Sequence, residues 1–197
     1  MAKATDAYVF YQDYVKPLYC EIEARNNTLP VELLFEIHAA FDHLRRFYVD
    51  GEDEEASTIK ALGHLKRGSL DAFKLKLKYF NEDIGGLKKK IDFTIIDSGK
   101  FYPNLISDKN NIVQLAKRAR LLESKEGHVE AFEYWSMTSI AIDEFYEKYL
   151  ADKEKLTWAR RQTVLLNLKD SWRAFVVGLL SGIASSLFVW WMTNQTL

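Results

Sequence analysis

The chain offers few residues whose type and spacing could do chemistry. Its histidines are His38, His43, His64 and His128, and none of them forms the H-E-x-x-H pattern of a zinc-binding helix. The single cysteine, Cys20, excludes an internal disulfide, and we expect a buried thiol that packs as a small hydrophobe. The sequence contains no phosphate-binding glycine loop and no nucleophile elbow. We therefore expect neither a metal nor an organic cofactor.

One arginine precedes a histidine at the start of a predicted late helix. Arg120 precedes His128 in "RLLESKEGH", and seven residues separate the two. An imidazole titrates near neutral pH and can transfer a proton, whereas a guanidinium is a permanently charged, bidentate phosphate donor.

Two short basic clusters are candidates for contact with RNA or with anionic lipid. They are Lys88, Lys89 and Lys90, and Lys117 and Arg118. The first cluster ends a segment, 60–90, in which nine basic residues stand against three acidic ones. A solvated helix face is the alternative interpretation. The whole chain carries 27 basic and 28 acidic residues, so its net charge does not favour a nucleic-acid partner.

Helical periodicity dominates the elements that would position these residues. Apolar residues recur at steps of three and four, which predicts helices over 5–25, 30–49, 55–80, 109–123 and 128–150. We expect Pro17 to kink the first helix and His38 to be a core or interface residue on the second. The segment "FKLKLKYF" alternates with period two and would also suit a strand. Glycine pair 85–86 and "YPN" at 102–104 indicate turns. The predicted fold class is an all-α antiparallel bundle over 1–150.

The C-terminal part of the chain has the length and composition of a membrane helix. No charged residue follows Arg173, and residues 174–193 read "AFVVGLLSGIASSLFVWWMT". As a helix this run is about 30 Å long, the thickness of the hydrocarbon core. Basic residues precede the run and none follows it, which predicts cytoplasmic residues 1–173, with 151–173 as a helical stalk and 194–197 as a short tail. The N-terminal segment lacks a secretory signal pattern. A buried helix of a soluble domain is the alternative.

Small residues share one face of this run. Within about 100° of one another on a helical wheel lie Ala174, Gly178, Ser181, Gly182 and Ser185. In lipid, small residues let helix backbones approach closely, and hydroxyls can hydrogen-bond across the contact. The face could pair two helices, line the opening of a larger ring, or merely tolerate lipid. Because one helix cannot enclose a pore, a ring requires a homo-oligomer of several subunits.

The combination of features resembles a known family. A helical bundle in which an arginine precedes a histidine at the start of a late helix resembles the HEPN fold, whose R-x(4–6)-H motif supports RNA cleavage. The spacing between Arg120 and His128 is longer than that motif. Joined to a membrane helix, the bundle resembles the small membrane accessory proteins encoded beside the RNA-guided ribonuclease of type VI-B CRISPR systems.

This resemblance implies a function at the bacterial inner membrane. It implies a ring-shaped, pore-like homo-oligomer that enhances antiviral defence by depolarising the membrane after the partner ribonuclease has recognised viral RNA. Arg120 and His128 would then be remnants of a nuclease site, and the chain would not be an enzyme. Two alternatives remain: a membrane-tethered HEPN ribonuclease, and a tail-anchored dimeric scaffold that recruits a cytosolic partner.

Overall fold

The computed structural model describes residues 1–27, 30–125 and 128–194, except the side chains of Asn26, His128 and Val129. The elements are α1 (Ala4–Phe10), a π-helical turn (Tyr11–Val15), α2 (Lys16–Asn26), α3 (Val31–Asp50), α4 (Glu54–Lys88), a 3₁₀ segment (Phe93–Gly99), α5 (Phe101–Lys125), α6 (His128–Leu150) and α7 (Lys153–Asn194). No strand occurs among these described residues. The all-α prediction is confirmed, including for the alternating "FKLKLKYF" segment, which is helical.

The chain divides into two compact units. The bundle unit comprises Met1–Gly86 and Pro103–Ala151, and the tail unit comprises Leu87–Tyr102 and Asp152–Leu197. The boundaries therefore fall close to the end of α4 and just after the start of α5.

The bundle unit holds a core of apolar side chains contributed by its helices. On α3 the buried residues are Leu33, Ile37, Ala40 and Leu44, which recur at steps of three and four as the sequence predicts. The largest fully buried side chain is Trp135 of α6. Burying such a side chain contributes about 1.5–3 kcal/mol, so helices with one apolar face are held together mainly by this core.

Helices α3 and α4 approach each other closely at Gly68. A Cβ atom at this position would lie 2.8 Å from Cδ1 of Leu33 and 3.0 Å from Cβ of Glu36. Carbon atoms pack best at about 3.5–4.0 Å, so a larger residue would push the helices apart. The close approach accounts for a glycine in a helix interior, where it is about 1 kcal/mol less favourable than alanine.

The predicted first helix is present but is interrupted by the π-helical turn. This turn ends two residues before Pro17. Proline lacks an N–H group, and its ring clashes with the carbonyl group four residues earlier, that of Asp13. A wider turn of this kind is one way for a helix to accommodate the proline.

Two predicted turns are wrong because α4 and α5 are longer than expected. α4 continues through Gly85 and Gly86, and α5 already includes Pro103 in its first turn. Each glycine in a helix costs about 1 kcal/mol relative to alanine. The burial of Phe80 and Ile84, which precede the pair on α4, contributes more than this cost. In a first helical turn the missing N–H of proline is not needed. α6, in contrast, has its predicted bounds.

The prediction that Cys20 is buried is wrong, and so is a core position for His38, because both residues are exposed. An interface position for His38 stays a prediction. α2 buries Leu18 and Ile22, and Cys20 lies two residues from each of them. Two residues correspond to about 200° around a helix, so the thiol lies on the outer face. His38 follows the buried Ile37 by one residue, about 100°, which places it beside the apolar stripe and in solvent.

The helix α7 has 42 residues, and it continues without a break from the charged segment into the apolar run. Among the described residues it is the one helix long and apolar enough to cross a membrane, and its most apolar stretch is not buried at all. From Phe175 to Met192, the large apolar side chains other than Val176 are 50–66% exposed. The helix is consistent with a membrane anchor.

Candidate functional site

Arg120 rests on a buried tryptophan of the bundle unit. Its guanidinium carbon lies 5.6 Å from the centre of the Trp135 ring, a cation–π arrangement. The indole Nε1 of Trp135 donates a hydrogen bond to Oε2 of Glu123 at 3.4 Å. The other oxygen of Glu123 accepts a hydrogen bond from Nζ of Lys74 at 2.7 Å. Arg120 is therefore held at one end of a connected polar cluster that links α4, α5 and α6.

The same arginine lines a cleft of about 530 Å³ in the bundle unit, together with Lys74, Lys78, Asp71 and other residues. Lys74 is held between Glu123 and Asp71, and Nζ lies 3.1 Å from Oδ1 of Asp71. Burial lowers the pKa of Lys74, but the hydrogen bonds with the two carboxylates outweigh this and raise it. The ammonium group of Lys74 is thus committed to carboxylates. Nζ of Lys78 lies 4.0 Å from Oε1 of Glu82, so Arg120 is the cation of this cleft that has no ion pair with a described residue.

The second half of the predicted pair lies outside the described residues. His128 begins α6, but its side chain is not described, and neither are Glu126 and Gly127 of the preceding loop. The pairing of Arg120 with His128 therefore stays a prediction.

Comparisons with family models, with characterised proteins and with solved structures find no match to this chain. Among the residues described, no group of three or more histidine, cysteine, aspartate or glutamate side chains could hold a metal ion.

The two predicted basic clusters belong to different units. Lys88, Lys89 and Lys90 lie in the tail unit, at the end of α4 and in the turn after it, and all three are exposed. Lys88 and Lys89 line a cleft of about 420 Å³. Lys117 and Arg118 are exposed on α5 in the bundle unit, and the guanidinium of Arg118 lies 5.9 Å from the centre of the Tyr134 ring. The contact of either cluster with RNA or lipid remains a prediction.

The small residues of α7 are open to their surroundings. Gly178, Ser181, Gly182 and Ser185 are all exposed, and a Cβ atom added at either glycine would meet no other atom within 4 Å. A shallow groove of about 650 Å³ runs over the two glycines. The structure thus leaves room beside this face for another helix, and the predicted self-association is not tested by it.

Sequence reasoning missed a buried lysine. Lys76 belongs to the segment interpreted as a basic patch, yet its side chain is only 2% exposed. Its ammonium nitrogen lies 2.8 Å from Oε2 of Glu21 and 2.7 Å from Oδ1 of Asp143, so it joins α2, α4 and α6. The spacing from Phe73 and Phe80, three and four residues away, places Lys76 on the apolar face of α4 and was the signal available.

A second polar network lies between the same three helices. Arg25 forms an ion pair with Asp83 and donates a hydrogen bond of 2.7 Å to the hydroxyl of Tyr146. This hydroxyl donates in turn to Oδ2 of Asp83 at 2.8 Å. Burial, followed by the hydrogen bond to Asp83, raises the pKa of Tyr146 to about 12, although Arg25 opposes the shift. The phenol therefore stays protonated, and the network is structural.

Two histidines stack between α3 and α4. The ring centres of His43 and His64 are 5.2 Å apart, and Nδ1 of His64 lies 2.6 Å from Oε2 of Glu36. Nδ1 of His43 is buried and has no hydrogen-bond partner within the described part of the chain. Burial lowers the pKa of His43, and the charges of His64, Arg46 and Lys60 lower it further, against Asp42.

We expect the bundle unit to lose stability as the pH falls below about 6.5, the ordinary pKa of histidine. Because folding lowers the pKa of His43, the unfolded chain takes up a proton at this histidine at a higher pH than the folded chain does, and this uptake favours unfolding. The loss of stability levels off once the pH is below the pKa of His43 in the folded state. The melting temperature of His43→Phe should fall less between pH 7.5 and pH 5 than the melting temperature of the wild type does. His38→Phe, on the exposed side of α3, is the control and should keep the wild-type dependence. Equal slopes for wild type and His43→Phe would contradict the assignment.

Proposed function

We propose that this protein is a membrane-anchored, self-associating effector whose bundle unit faces the cytoplasm. The observation that carries the proposal is that none of the most apolar stretch of α7 is buried. Transfer of each large apolar side chain out of water is worth about 1.5–3 kcal/mol, so a run from Phe175 to Met192 cannot stay in water at low cost. Its length matches the hydrocarbon core, and Trp172, Trp190 and Trp191 mark the two interfaces.

The orientation follows from the charges that flank the run. Arg160, Arg161, Lys169 and Arg173 precede it on α7, and no basic residue follows. The positive-inside rule then places the bundle unit in the cytoplasm.

Self-association would use the small face of α7. Gly178 and Gly182 have open space beside them, and the hydroxyls of Ser181 and Ser185 lie on the same side. Small residues allow the close backbone contact on which helix pairs in lipid depend. Copies arranged in a ring would turn this narrow, mildly polar face towards a common opening.

The family resemblance extends the proposal to antiviral defence. A HEPN-like bundle joined to a C-terminal membrane helix is the combination found in the accessory proteins of type VI-B CRISPR systems. The all-helical bundle unit, with α6 beginning at His128 shortly after Arg120 on α5, supports this proposal. The effector would depolarise the inner membrane once the partner ribonuclease has recognised viral RNA.

We expect Gly178→Leu with Ser185→Leu to lower the mass of the detergent-solubilised particle, because the added side chains prevent close helix contact. Light scattering on the purified full-length chain measures this mass. Leu180→Ile with Leu187→Ile, on the opposite side of α7, should leave it unchanged. A mass equal to that of the wild type would remove the small face as the contact. A wild-type mass of two chains would favour the dimeric scaffold, because two helices leave no opening.

Function itself is tested by membrane depolarisation in bacteria that also contain the active RNA-guided ribonuclease. A voltage-sensitive dye should report depolarisation with the wild-type chain and a clear loss of it with Gly182→Leu and Ser185→Leu. Absence of depolarisation in the wild type while the ribonuclease is active would overturn the defence proposal, although not the membrane anchor.

The second candidate is a membrane-tethered ribonuclease, favoured by the exposed position of Arg120 in its cleft. Against it, the bundle unit carries 17 basic residues and 23 acidic ones, which repels RNA. If the chain cleaves RNA through this site, His128→Ala should abolish cleavage of a labelled single-stranded RNA, and His38→Ala should not. We expect no cleavage by the wild type.

A further inference from the structure

The tail unit contains a basic cleft next to the start of the apolar run. The cleft is lined by Lys88, Lys89, Ile91, Asp92, Phe93, Thr94, Tyr102, Thr163 and Asn167, and its volume is about 420 Å³. All of these residues belong to the tail unit. The cleft therefore lies within the same compact unit as the helix that we propose to cross the membrane.

The frame of the cleft is held by backbone and hydroxyl contacts. The backbone N–H of Asp92 donates to Oγ1 of Thr163 at 2.9 Å, and this hydroxyl donates to the carbonyl oxygen of Ala159 at 2.8 Å. Oδ1 of Asp92 accepts hydrogen bonds from both the backbone N–H and the hydroxyl of Thr94. Oδ1 of Asp92, the one carboxylate that lines the cleft, is thus held by the start of the 3₁₀ segment, while its negative charge remains beside the two lysines.

The two lysines that line the cleft, Lys88 and Lys89, have no ion-pair partner in the part of the chain that the structure describes, and both are exposed. The ammonium nitrogen of Lys88 lies 5.4 Å from the centre of the Tyr102 ring, which holds the charge near the cleft. Asn167 adds an amide donor. Two cations with nearby neutral donors suit the oxygens of a phosphate group.

The two units differ sharply in charge. The tail unit has ten basic and five acidic residues, whereas the bundle unit has 17 and 23. Positive charge is therefore concentrated in the unit that contains the apolar run. Juxtamembrane basic residues are attracted to anionic lipid by about 1 kcal/mol each.

The cleft also lies close to the apolar run when measured along α7. Asn167 precedes Ala174 by seven residues, about 10 Å along the helix axis, and the headgroup layer is about 5–8 Å deep on each side. Leu165, Leu166 and Leu168, beside Asn167, are 43–61% exposed, and such apolar side chains favour the membrane interface. The flexible four-carbon stems of the two lysines add to this reach.

We propose that this cleft binds the phosphate of an anionic lipid headgroup at the cytoplasmic surface of the membrane. The inference rests on the proposed function, because α7 must cross the bilayer for the cleft to meet headgroups. Lys88 and Lys89 supply the charge, and Asn167 supplies a neutral hydrogen bond. An occupied cleft would fix the tail unit against the surface.

The test titrates the detergent-solubilised full-length chain with phosphatidylglycerol or phosphatidylcholine and counts bound lipids by native mass spectrometry. The wild type should prefer phosphatidylglycerol. Lys88→Gln with Lys89→Gln should weaken its binding by about ten- to thirtyfold. Lys88→Arg with Lys89→Arg should retain it, which separates loss of charge from loss of folding. Lys16→Gln with Lys60→Gln removes the same charge from exposed positions of the bundle unit and should have no effect.

Three results would overturn the inference. They are equal binding of the two lipids by the wild type, undiminished phosphatidylglycerol binding by Lys88→Gln with Lys89→Gln, and displacement of the lipid by millimolar inorganic phosphate. A loss of binding to an RNA oligonucleotide, with lipid binding unchanged, would assign the cleft to RNA instead. Resistance of the wild-type chain to carbonate extraction from membranes tests the anchor separately, because the detergent titration does not depend on insertion.

Discussion

Leu180→Arg combined with Ile183→Arg is expected to release the chain from the membrane. Both positions lie near the middle of the apolar run, and both side chains are more than half exposed. An arginine at the centre of a membrane helix costs about 2.5–3.5 kcal/mol, so two of them shift insertion by about four to five powers of ten. Carbonate extraction of cell membranes, followed by detection of the chain in pellet and supernatant, measures the result.

The matched control places the same charges outside the run. Leu165→Arg with Leu168→Arg should leave the chain in the membrane pellet, because arginine is tolerated at the interface and joins an existing basic flank. If the central pair also stayed in the pellet, α7 would not cross the bilayer as an independent helix. Loss of both variants from the pellet would instead indicate that peripheral contacts hold the chain.

Trp135→Ala is expected to destabilise the bundle unit by about 3–5 kcal/mol, the range for removing a buried aromatic side chain. Trp135 is fully buried, carries the guanidinium of Arg120 over its ring, and donates a hydrogen bond to Glu123. Because domains are stable by only about 5–15 kcal/mol, this loss is a large fraction of the total. Urea unfolding of the full-length chain in mild detergent, followed by helical circular dichroism, measures it.

Two further substitutions separate packing from other effects of losing a tryptophan. Trp135→Phe keeps an aromatic ring in the core and should lose less than half as much stability as Trp135→Ala. Trp158→Ala removes a tryptophan that is 49% exposed and should change stability by about 0.5 kcal/mol or less. A Trp135→Ala variant as stable as Trp158→Ala would show that the core does not depend on α6.

Periodic segments were predictable because their pattern is local. The bounds of α6 and the buried stripe of α3 follow from apolar residues repeated every three or four positions. This spacing can be read directly from the sequence. The glycine pair in α4 and Pro103 in α5 were misjudged for different reasons. The glycine pair is a weak local signal that the burial of Phe80 and Ile84 outweighs, whereas Pro103 fits the first turn of α5, where its missing N–H is not needed.

The candidate sites were predictable only as residue types. The sequence identified Arg120, the two basic clusters and the small face of α7, and these assignments remain predictions. Spacing from Phe73 and Phe80 places Lys76 on the apolar face of α4, but it does not reveal the partner of any lysine in the segment 60–90. Lys76 proved to be buried between two carboxylates and Lys74 to be held by two others, whereas Lys88 and Lys89 line an open cleft. A lysine's partners come from other helices, so spacing along its own helix does not reveal them.

By itself, the sequence determined the helical class of the protein and the presence of a charge-free C-terminal helix of membrane length. Both follow from composition and spacing along a single stretch of chain, because helix periodicity and hydropathy need no distant contact. Only the tertiary structure decided that Cys20 is exposed, that His43 stacks on His64, and that Lys76 pairs with Glu21 and Asp143. These outcomes depend on which faces of separate helices meet, and that choice is made by the packing of the whole core.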